Sequence, residues 1–207
     1  SISAQYHFVA QICFPDVRPG RGAPANRTPT RFNLKEREAD GDWLDERGAL
    51  DGEAPKLHTT VTIEKPKTII STNRSPDIPF DHSINPYRGC EHGCVYCFAR
   101  PTHSYLNLSP GLDFETKIIA KVNAALRLRA TLSAKGYEPL PLNIGSATDA
   151  YQPVERRLRL TRGLIEVLAE FRHAFSIITK SSGVERDIDL LAPLARDNLA
   201  AVYVSVP

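Results

Sequence analysis

Apolar and polar positions along residues 75–207 follow two different periods, which predicts a chain that alternates between strands and helices. Short, nearly continuous apolar runs predict buried strands, which we expect over residues 83–87, 141–146, 175–180 and 200–206. Apolar residues at helical spacing lie between these runs and predict helices over residues 113–136, 158–171 and 188–194. Asp113 is the expected N-cap of the first helix, and Gly136 is its expected stop.

The resulting order is β-α-β-α-β-α-β, which predicts an α/β fold built on four parallel strands. In folds of this kind, ligands bind at the carboxyl ends of the strands. A cysteine-rich loop follows the first predicted strand, and residues 145–149, Lys180 and Ser205 end or follow the other three. The pattern therefore predicts that these residues share one edge of the sheet.

A largely irregular N-terminal extension is predicted over residues 1–74, ahead of a folded domain over residues 75–207. Arginine, glycine and proline dominate residues 18–24, and residues 40–53 are acidic with interspersed glycines. Both compositions favour loops.

Three features of the extension are more specific. Residues 57–63 alternate apolar and polar positions and predict one short strand. Ile69 and Ile70 are expected to pack onto the domain that follows. Cys13 has no cysteine near it in the sequence, and we expect it to be a free thiol.

The C-terminal end of the chain falls directly after the fourth predicted strand, at Pro207. Four parallel strands do not close a barrel, and the apolar last strand would be left as a bare edge. We therefore expect a C-terminally truncated piece of a longer protein.

Composition sets broad limits on the class of protein. The 207 residues are 42% hydrophobic and 24% charged, which is typical of a globular protein with one sizeable core. The net charge of +2 does not by itself indicate a nucleic-acid-binding protein. No apolar run approaches the length of a membrane span, and no secretory signal is expected. We therefore expect a cytoplasmic protein without a membrane partner.

Three of the four cysteines lie close together, at Cys90, Cys94 and Cys97, in a C-x3-C-x2-C pattern. A [4Fe–4S] cluster is usually held by four cysteines. Three ligands would leave one iron open to a small molecule, as catalytic metal sites do. Gly89 and Gly93 precede the first two cysteines, and glycine lets a short loop fold around a cluster. The spacing favours an iron–sulfur cluster with these three cysteines as ligands.

The spacing of the three cysteines is also compatible with two other uses. A structural zinc ion takes four ligands, often three cysteines and one histidine, and the candidate histidines are His82, His92 and His103. Such a site would stabilise a binding module, with nucleic acid as a candidate ligand. A redox disulfide within the C-x2-C pair is the weaker alternative, because it leaves the first cysteine unexplained.

Four motifs in order resemble the radical S-adenosylmethionine (SAM) superfamily, and within it the branch similar to spore photoproduct lyase. They are GCxHxCxYCFAR at residues 89–100, TDxYQPxE at 148–155, ITKS at 178–181 and RDxDLL at 186–191. The resemblance covers roughly residues 75–207.

The resemblance implies a partial TIM-like (β/α) barrel, in which this chain holds four of six expected parallel strands. It implies that Cys90, Cys94 and Cys97 hold a [4Fe–4S] cluster whose fourth iron binds SAM. Reductive cleavage of SAM would give a 5′-deoxyadenosyl radical that abstracts hydrogen from a substrate. The electron would come from a donor of flavodoxin or ferredoxin type.

The resemblance also implies which residues contact SAM. Tyr96 matches a position beside the adenine, and Lys180 matches a lysine that pairs with the SAM carboxylate. Ser205 matches a hydroxyl near the same carboxylate. The segment that supports the methionine part of SAM corresponds to residues including Gly145, Ser146 and Thr148.

Two positions depart from photoproduct lyases. Phe98 stands where those enzymes have a second tyrosine, and Ser146 stands near the place of their hydrogen-donor cysteine. The resemblance therefore implies the cofactor chemistry without the substrate, for which nucleic acid is one candidate. An inactive remnant, which lacks the strands that would close the substrate side, is a further hypothesis.

The charged residues that follow the second predicted strand have ordinary structural interpretations. Asp149 and Glu155 are candidates for capping the next helix, and at least one of them is expected to do so. Basic residues without interleaved aromatics predict a solvated helix face rather than a nucleic-acid site at Arg156, Arg157, Arg159 and Arg162.

Overall fold

The computed structural model describes residues 21–23, 26 and 58–206. Cys13, most of the predicted extension and Pro207 lie outside these residues. The strands are β1 (Thr60–Glu64), β2 (Ile70–Thr72), β3 (His82–Ile84), β4 (Tyr87–Arg88), β5 (Lys117–Lys121), β6 (Leu142–Ile144), β7 (Phe175–Thr179) and β8 (Ala200–Val204). The α-helices are α1 (Leu112–Thr116), α2 (Ala124–Leu132), α3 (Glu155–Leu158), α4 (Leu160–Glu170) and α5 (Ile188–Arg196). Two 3₁₀ helices span Arg100–Leu106 and Ser182–Asp187.

The larger sheet has the strand order β2-β3-β6-β7-β8. Its last four strands are parallel, with Ile84 opposite Ile144 and Ile144 opposite Ile177. These are the four strands that the apolar runs predict, so the α/β class is confirmed. Because parallel neighbours end at the same edge, the loops that follow β6, β7 and β8 lie side by side.

The predicted TIM-like barrel is wrong. Neither sheet is closed, and both are mixed, since β2 runs antiparallel to β3 and β4 runs antiparallel to β5. Within the described residues, β2 and β8 are the edge strands of the larger sheet, and β8 pairs with β7 alone. Alternation of strands and helices predicts parallel neighbours, but closure needs a matching tilt and stagger of every strand. The alternation therefore does not determine what lies at the edges of the sheet.

The smaller sheet has the order β1-β5-β4, with β1 parallel to β5. Its strand β1 is the one predicted near residues 57–63. The larger sheet takes β2 from the same part of the chain, and Ile69 is buried in its core. Residues 58–74 therefore supply one strand to each sheet, and the predicted short strand is one of the two.

The helix predicted over residues 113–136 is wrong in its middle. The chain is helical in α1 and again in α2, but β5 lies between them. Ile118 and Ala120 are fully buried in β5, which follows the two-residue period of a strand with one covered face. β-branched isoleucine suits such a surface, and β1 supplies a partner more than 50 residues away that local periodicity does not reveal.

Helices α2, α4 and α5 pack on one face of the larger sheet and share its core. Helices α4 and α5 confirm the second and third predicted helices, and Pro193 lies inside α5. Glu155 accepts hydrogen bonds from the amides of Leu160 and Thr161, so it caps α4, as expected for one of the two candidate carboxylates. Among the described residues, the helices are too short or too polar to cross a membrane.

Candidate functional site

A cavity of about 170 Å³ lies where the loops after β6, β7 and β8 meet the cysteine loop. All the site residues predicted from the sequence line it, namely Cys90, Cys94, Tyr96, Cys97, Gly145, Ser146, Thr148, Lys180 and Ser205. His92, Asp149 and Thr179 line it as well. The fold therefore brings the four predicted segments to one place, whereas their chemical roles stay predictions.

The cysteine loop is a succession of tight turns held by its own backbone. The amide of Gly93 donates to the carbonyl of Cys90 at 3.2 Å, and the amide of Cys97 donates to the carbonyl of Cys94 at 3.2 Å. The amide of Cys90 donates to the carbonyl of Phe114 at 2.9 Å and ties the loop to α1. The three thiols are free, so no disulfide joins Cys94 to Cys97.

Two glycines allow these turns. Gly89 has φ of 79° and Gly93 has φ of 61°, in the left-handed region that other residues rarely adopt. A Cβ on Gly89 would lie 2.8 Å from the carbonyl oxygen of Phe114. The expectation that glycine is needed beside the cysteines therefore has a steric basis at this position.

Arg100 fastens the cysteine loop from outside the cavity. Its Nε donates to the carbonyl of Cys94 at 3.0 Å, and its Nη2 donates to the carbonyl of Gly93 at 2.7 Å. The same Nη2 pairs at 2.5 Å with Glu115, which is fully buried. The positive charge is thus balanced by a carboxylate, and the guanidinium fixes the path of the loop.

Gln152 joins the cysteine loop to the segment after β6. Its Nε2 donates to the carbonyl of Gly89 at 3.2 Å, and its Oε1 accepts from the amide of Glu91 at 3.0 Å. The carboxylate of Glu91 in turn accepts from the amide of Val154 at 2.6 Å. Gln152 is fully buried, so these contacts replace water for both of its polar ends. Sequence reasoning missed this role, and the only signal was the place of Gln152 in the TDxYQPxE motif.

Asp149 organises the edge of the cavity between β6 and β7. Its Oδ1 accepts from the hydroxyl of Thr179 at 2.6 Å and from the amide of Tyr151 at 2.8 Å. Its Oδ2 accepts from the amide of Lys180 at 2.7 Å and lies 3.5 Å from Nε2 of His92. Burial disfavours the charged form, but these donors outweigh it and lower the pKa of the carboxyl. Asp149 is therefore a buried carboxylate that fixes several backbone and side-chain positions at once.

The loop after β6 is held by Asn85, which the sequence did not single out. Its Oδ1 accepts from the amides of Ala147 and Thr148, and its Nδ2 donates to the hydroxyl of Ser146. Gly145 begins this loop with φ of 88°, and a Cβ there would lie 2.5 Å from the carbonyl of Ile178. The side-chain amide of Asn85 and a close backbone contact at Gly145 therefore both hold this loop.

Lys180 and Tyr96 meet at the mouth of the cavity. Lys180 Nζ donates to the Tyr96 hydroxyl and lies 4.4 Å from the centre of its ring. This hydrogen bond, with a smaller contribution from Cys94, raises the pKa of the lysine. The amide of Ser205 donates to the carbonyl of Thr179 and places that residue beside them. A cation and an aromatic ring are therefore adjacent, and Tyr96 is 64% exposed.

The donors available for a metal or cluster are the three thiols, all of which line the cavity. Burial raises the pKa of the Cys90 thiol to about 12, so a thiolate there needs compensating positive charge. Within residues 21–23, 26 and 58–206, no three His, Cys, Asp or Glu side chains are arranged to hold a metal ion. The cysteines nevertheless fit an iron–sulfur cluster in ligand chemistry, because soft thiolates at one cavity are what such clusters require.

The three histidines considered as zinc ligands occupy different surroundings. His92 lines the cavity beside the cysteines. His103 packs edge-on against Phe114, with ring centres 5.1 Å apart, and its Nε2 lies 3.1 Å from the carbonyl of Lys117. His82 lies in β3, opposite Leu142 of β6. His92 is therefore the candidate that the fold places near the thiols.

The RDxDLL motif has a structural role. Asp187 is fully buried and accepts from Tyr151 Oη at 3.0 Å, from Arg162 Nη1 at 2.9 Å and from Arg186 Nη2 at 2.8 Å. Arg186 also pairs with Glu155 at 3.1 Å. Of the four arginines predicted on a solvated face, three are exposed and Arg162 is held in this network.

Comparison with known proteins finds relatives that are themselves uncharacterized. An uncharacterized protein of Mycobacterium tuberculosis is 42% identical to this chain over 129 residues, which is 62% of this chain and 38% of that protein. An uncharacterized protein of Mycobacterium bovis gives the same values. An uncharacterized protein of Methanocaldococcus jannaschii is 33% identical over 108 residues, again 38% of its length.

The matched segment thus spans well under half the length of these relatives. No protein-family model matches the chain. No solved structure matches it.

Proposed function

We propose that this chain carries the part of a radical SAM enzyme that binds a [4Fe–4S] cluster and SAM. The observation that carries the proposal is the shared cavity, in which three thiols at C-x3-C-x2-C spacing meet the loops that follow β6, β7 and β8. A closed structural metal site formed within one loop would not require those other loops. A site that binds a small molecule beside its metal does require them.

In this proposal Cys90, Cys94 and Cys97 hold the cluster. When bound, the cluster supplies the one-electron reduction that cleaves SAM and starts hydrogen abstraction from the substrate. The chain contributes the conformation of the loop, through Arg100 and the fully buried Gln152. It also contributes the apolar side chains of Phe98, Ala147 and Ile178 to the lining of the cavity.

Lys180 and Tyr96 are the proposed contacts to SAM at the mouth of the cavity. A lysine ammonium suits the carboxylate of SAM, because a charge-assisted hydrogen bond to an anion is stronger than one to the Tyr96 phenol. Asp149 accepts from the backbone amide of Lys180, so it fixes the backbone from which the lysine side chain extends. Gly145 lets the loop after β6 pass close to the backbone of β7, where a Cβ would lie 2.5 Å from the carbonyl oxygen of Ile178.

Ser146 is the cavity residue that bears on the substrate. Ser146 lines the cavity, at the position that the resemblance to photoproduct lyases matches to their hydrogen-donor cysteine, and its hydroxyl accepts from Asn85 at 3.1 Å. We assign no photoproduct substrate, and nucleic acid stays one candidate. An external electron donor of flavodoxin or ferredoxin type and a cytoplasmic location, where thiols stay reduced, belong to the same proposal.

A zinc-stabilised module is the second candidate because His92 lines the cavity with the three cysteines. Three thiolates and one imidazole are a common ligand set for structural zinc. The proximity of His92 to Asp149 also resembles the carboxylate that often orients a zinc-bound histidine. Metal analysis separates the two candidates directly.

The test is anaerobic reconstitution with iron and sulfide, followed by metal analysis and EPR of the reduced protein with and without SAM. We expect about four irons per chain and an EPR spectrum that changes when SAM is added. Replacing any one of the three clustered cysteines by alanine should lower the iron content severalfold. The matched control Cys13→Ala should leave it unchanged. One tightly bound zinc and no iron would contradict the proposal and support the second candidate.

A further inference from the structure

Residues 21–23 lie against the cysteine loop, although they precede it by about 70 positions in the sequence. The amides of Arg21 and Gly22 both donate to Oε2 of Glu115, at 2.5 and 3.2 Å. Arg21 Nη1 also donates to the backbone carbonyl of Glu115 at 2.6 Å. Because the Glu115 side chain is fully buried, these donors satisfy a carboxylate that has no access to water.

Gly22 is in direct backbone contact with the loop. A Cβ added to Gly22 would lie 1.7 Å from the carbonyl oxygen of Gly93, a distance that no side chain can occupy. A Cβ added to Gly93 would lie 2.6 Å from the Cβ of Arg21. Each segment therefore requires a glycine at the point where it meets the other.

Glu115 connects this contact to the cysteines. Its Oε1 accepts from Arg100, whose guanidinium donates to the carbonyls of Gly93 and Cys94. The contacts run from Arg21 through Glu115 and Arg100 to the loop between the first two cysteines. A change at Arg21 or Gly22 would thus reach the loop through two hydrogen-bonded groups and through direct packing.

Further contacts hold the same segment in place. Arg21 Nη2 donates to the hydroxyl of Thr59 at 3.0 Å and lies 3.9 Å from Glu91. Asn26 accepts from the amide of Asp113 at 3.0 Å and donates to its carboxylate at 3.4 Å. Contacts at Arg21 and at Asn26 therefore both hold this segment against the rest of the protein.

We propose that Arg21 and Gly22 form a clasp that holds the cysteine loop in the conformation that binds the cluster. Both are positioning residues, because they act on the ligands through Glu115, Arg100 and Gly93. The role in cluster binding rests on the proposed function, whereas the effect on the loop itself does not. Composition predicts only a loop for residues 18–24, whereas the clasp gives two of these residues a role in positioning the cysteine loop.

The test compares Gly22→Ala and Arg21→Ala with the matched control Gly163→Ala in the full chain. A Cβ on Gly163 of α4 would lie 3.5 Å from the Cβ of Ala125 in α2, an ordinary van der Waals contact away from the cavity, so this control leaves the site intact. In the metal-free protein, both clasp variants should raise amide hydrogen exchange over residues 90–100 by about tenfold or more, because buried hydrogen bonds are lost. Exchange in β6 and β7 should stay unchanged.

The reconstituted proteins supply the second measurement. The clasp variants should bind less than about half the iron of the unmodified chain, and the EPR spectrum of the remaining cluster should broaden. Unchanged exchange over residues 90–100 in both variants would overturn the clasp, and so would an equal rise in β6 and β7, which indicates general destabilisation. If the unmodified chain binds no iron, the proposed function fails, and the exchange experiment still decides the clasp.

Discussion

At the residue scale, Asp187 belongs to the RDxDLL motif, which resembles a family motif, but its contacts stabilise the fold. Its carboxylate receives one tyrosine hydroxyl and two guanidinium groups inside the protein. Burial disfavours its charge, but the hydrogen bonds from Arg186 and Arg162 outweigh burial and lower the pKa. A carboxylate with a lowered pKa in the folded state stabilises that state above the pKa of the unfolded chain.

Replacing Asp187 by asparagine should lower the free energy of unfolding at pH 7 by about 2 kcal/mol, because two arginines lose their buried partner. The unmodified protein should lose this contribution as the pH falls below about 4 and through the lowered pKa. The variant should therefore show a shallower loss of stability in acid. Urea unfolding at a series of pH values measures both effects.

Asp197→Asn is the matched control for this prediction. Asp197 pairs with Arg172 at 3.0 Å, and both side chains are about half exposed or more. An exposed pair contributes little, so the change in unfolding free energy should stay below about 0.5 kcal/mol. Equal effects of the two substitutions would show that Asp187 does not hold the network.

At the element scale, β5 is where local periodicity and long-range pairing disagree. Ile118 is fully buried with Tyr87 and Val154, whereas Ile119 is only partly buried. Adjacent side chains on a strand point to opposite faces, and this alternation separates the two isoleucines. The helix predicted there failed because β1 and β4 offer hydrogen-bonding partners on both sides of β5.

Ile118→Ala should therefore lower the free energy of unfolding by about 3 kcal/mol, because it leaves a cavity in a packed core. Ile119→Ala removes the same atoms from a half-covered position and should cost about 1 kcal/mol. Chemical denaturation of the two variants measures the difference. Comparable losses would contradict the strand assignment of this segment.

At the scale of the whole molecule, the cavity depends on four segments separated by up to 115 positions, from Cys90 to Ser205. The parallel order of β6, β7 and β8 sets the neighbouring positions of their loops. Asp149, Asn85 and Gln152 then tie those loops to one another and to the cysteines. Ligand binding should consequently depend on residues far from the thiols in sequence.

Lys180→Ala should weaken SAM binding to the reconstituted protein by about tenfold, because a charge-assisted contact to the carboxylate is lost. Lys135→Ala removes the same charge from an exposed position away from the cavity and should have no effect. Isothermal titration under anaerobic conditions measures both affinities. An unchanged affinity in Lys180→Ala would show that the lysine does not contact SAM. The proposal that the three cysteines hold the cluster would not be affected by that result.

The sequence by itself determined the elements whose signals are local. Apolar runs located the four parallel strands, helical spacing located α4 and α5, and cysteine spacing singled out the loop at residues 90–97. The rule that ligands bind at strand ends predicted one shared site, and every predicted site residue lines the same cavity. These inferences succeed because periodicity and spacing act over a few residues.

Only the tertiary structure decided the features that depend on distant partners. The structure has two open mixed sheets where a barrel was predicted, and it has strand β5 in the middle of a predicted helix. Gln152, Asn85 and the Arg21–Gly22 clasp became visible through contacts across 60 to more than 90 positions. The physical reason is that a strand edge or a buried carboxylate is satisfied by whichever group the fold brings to it.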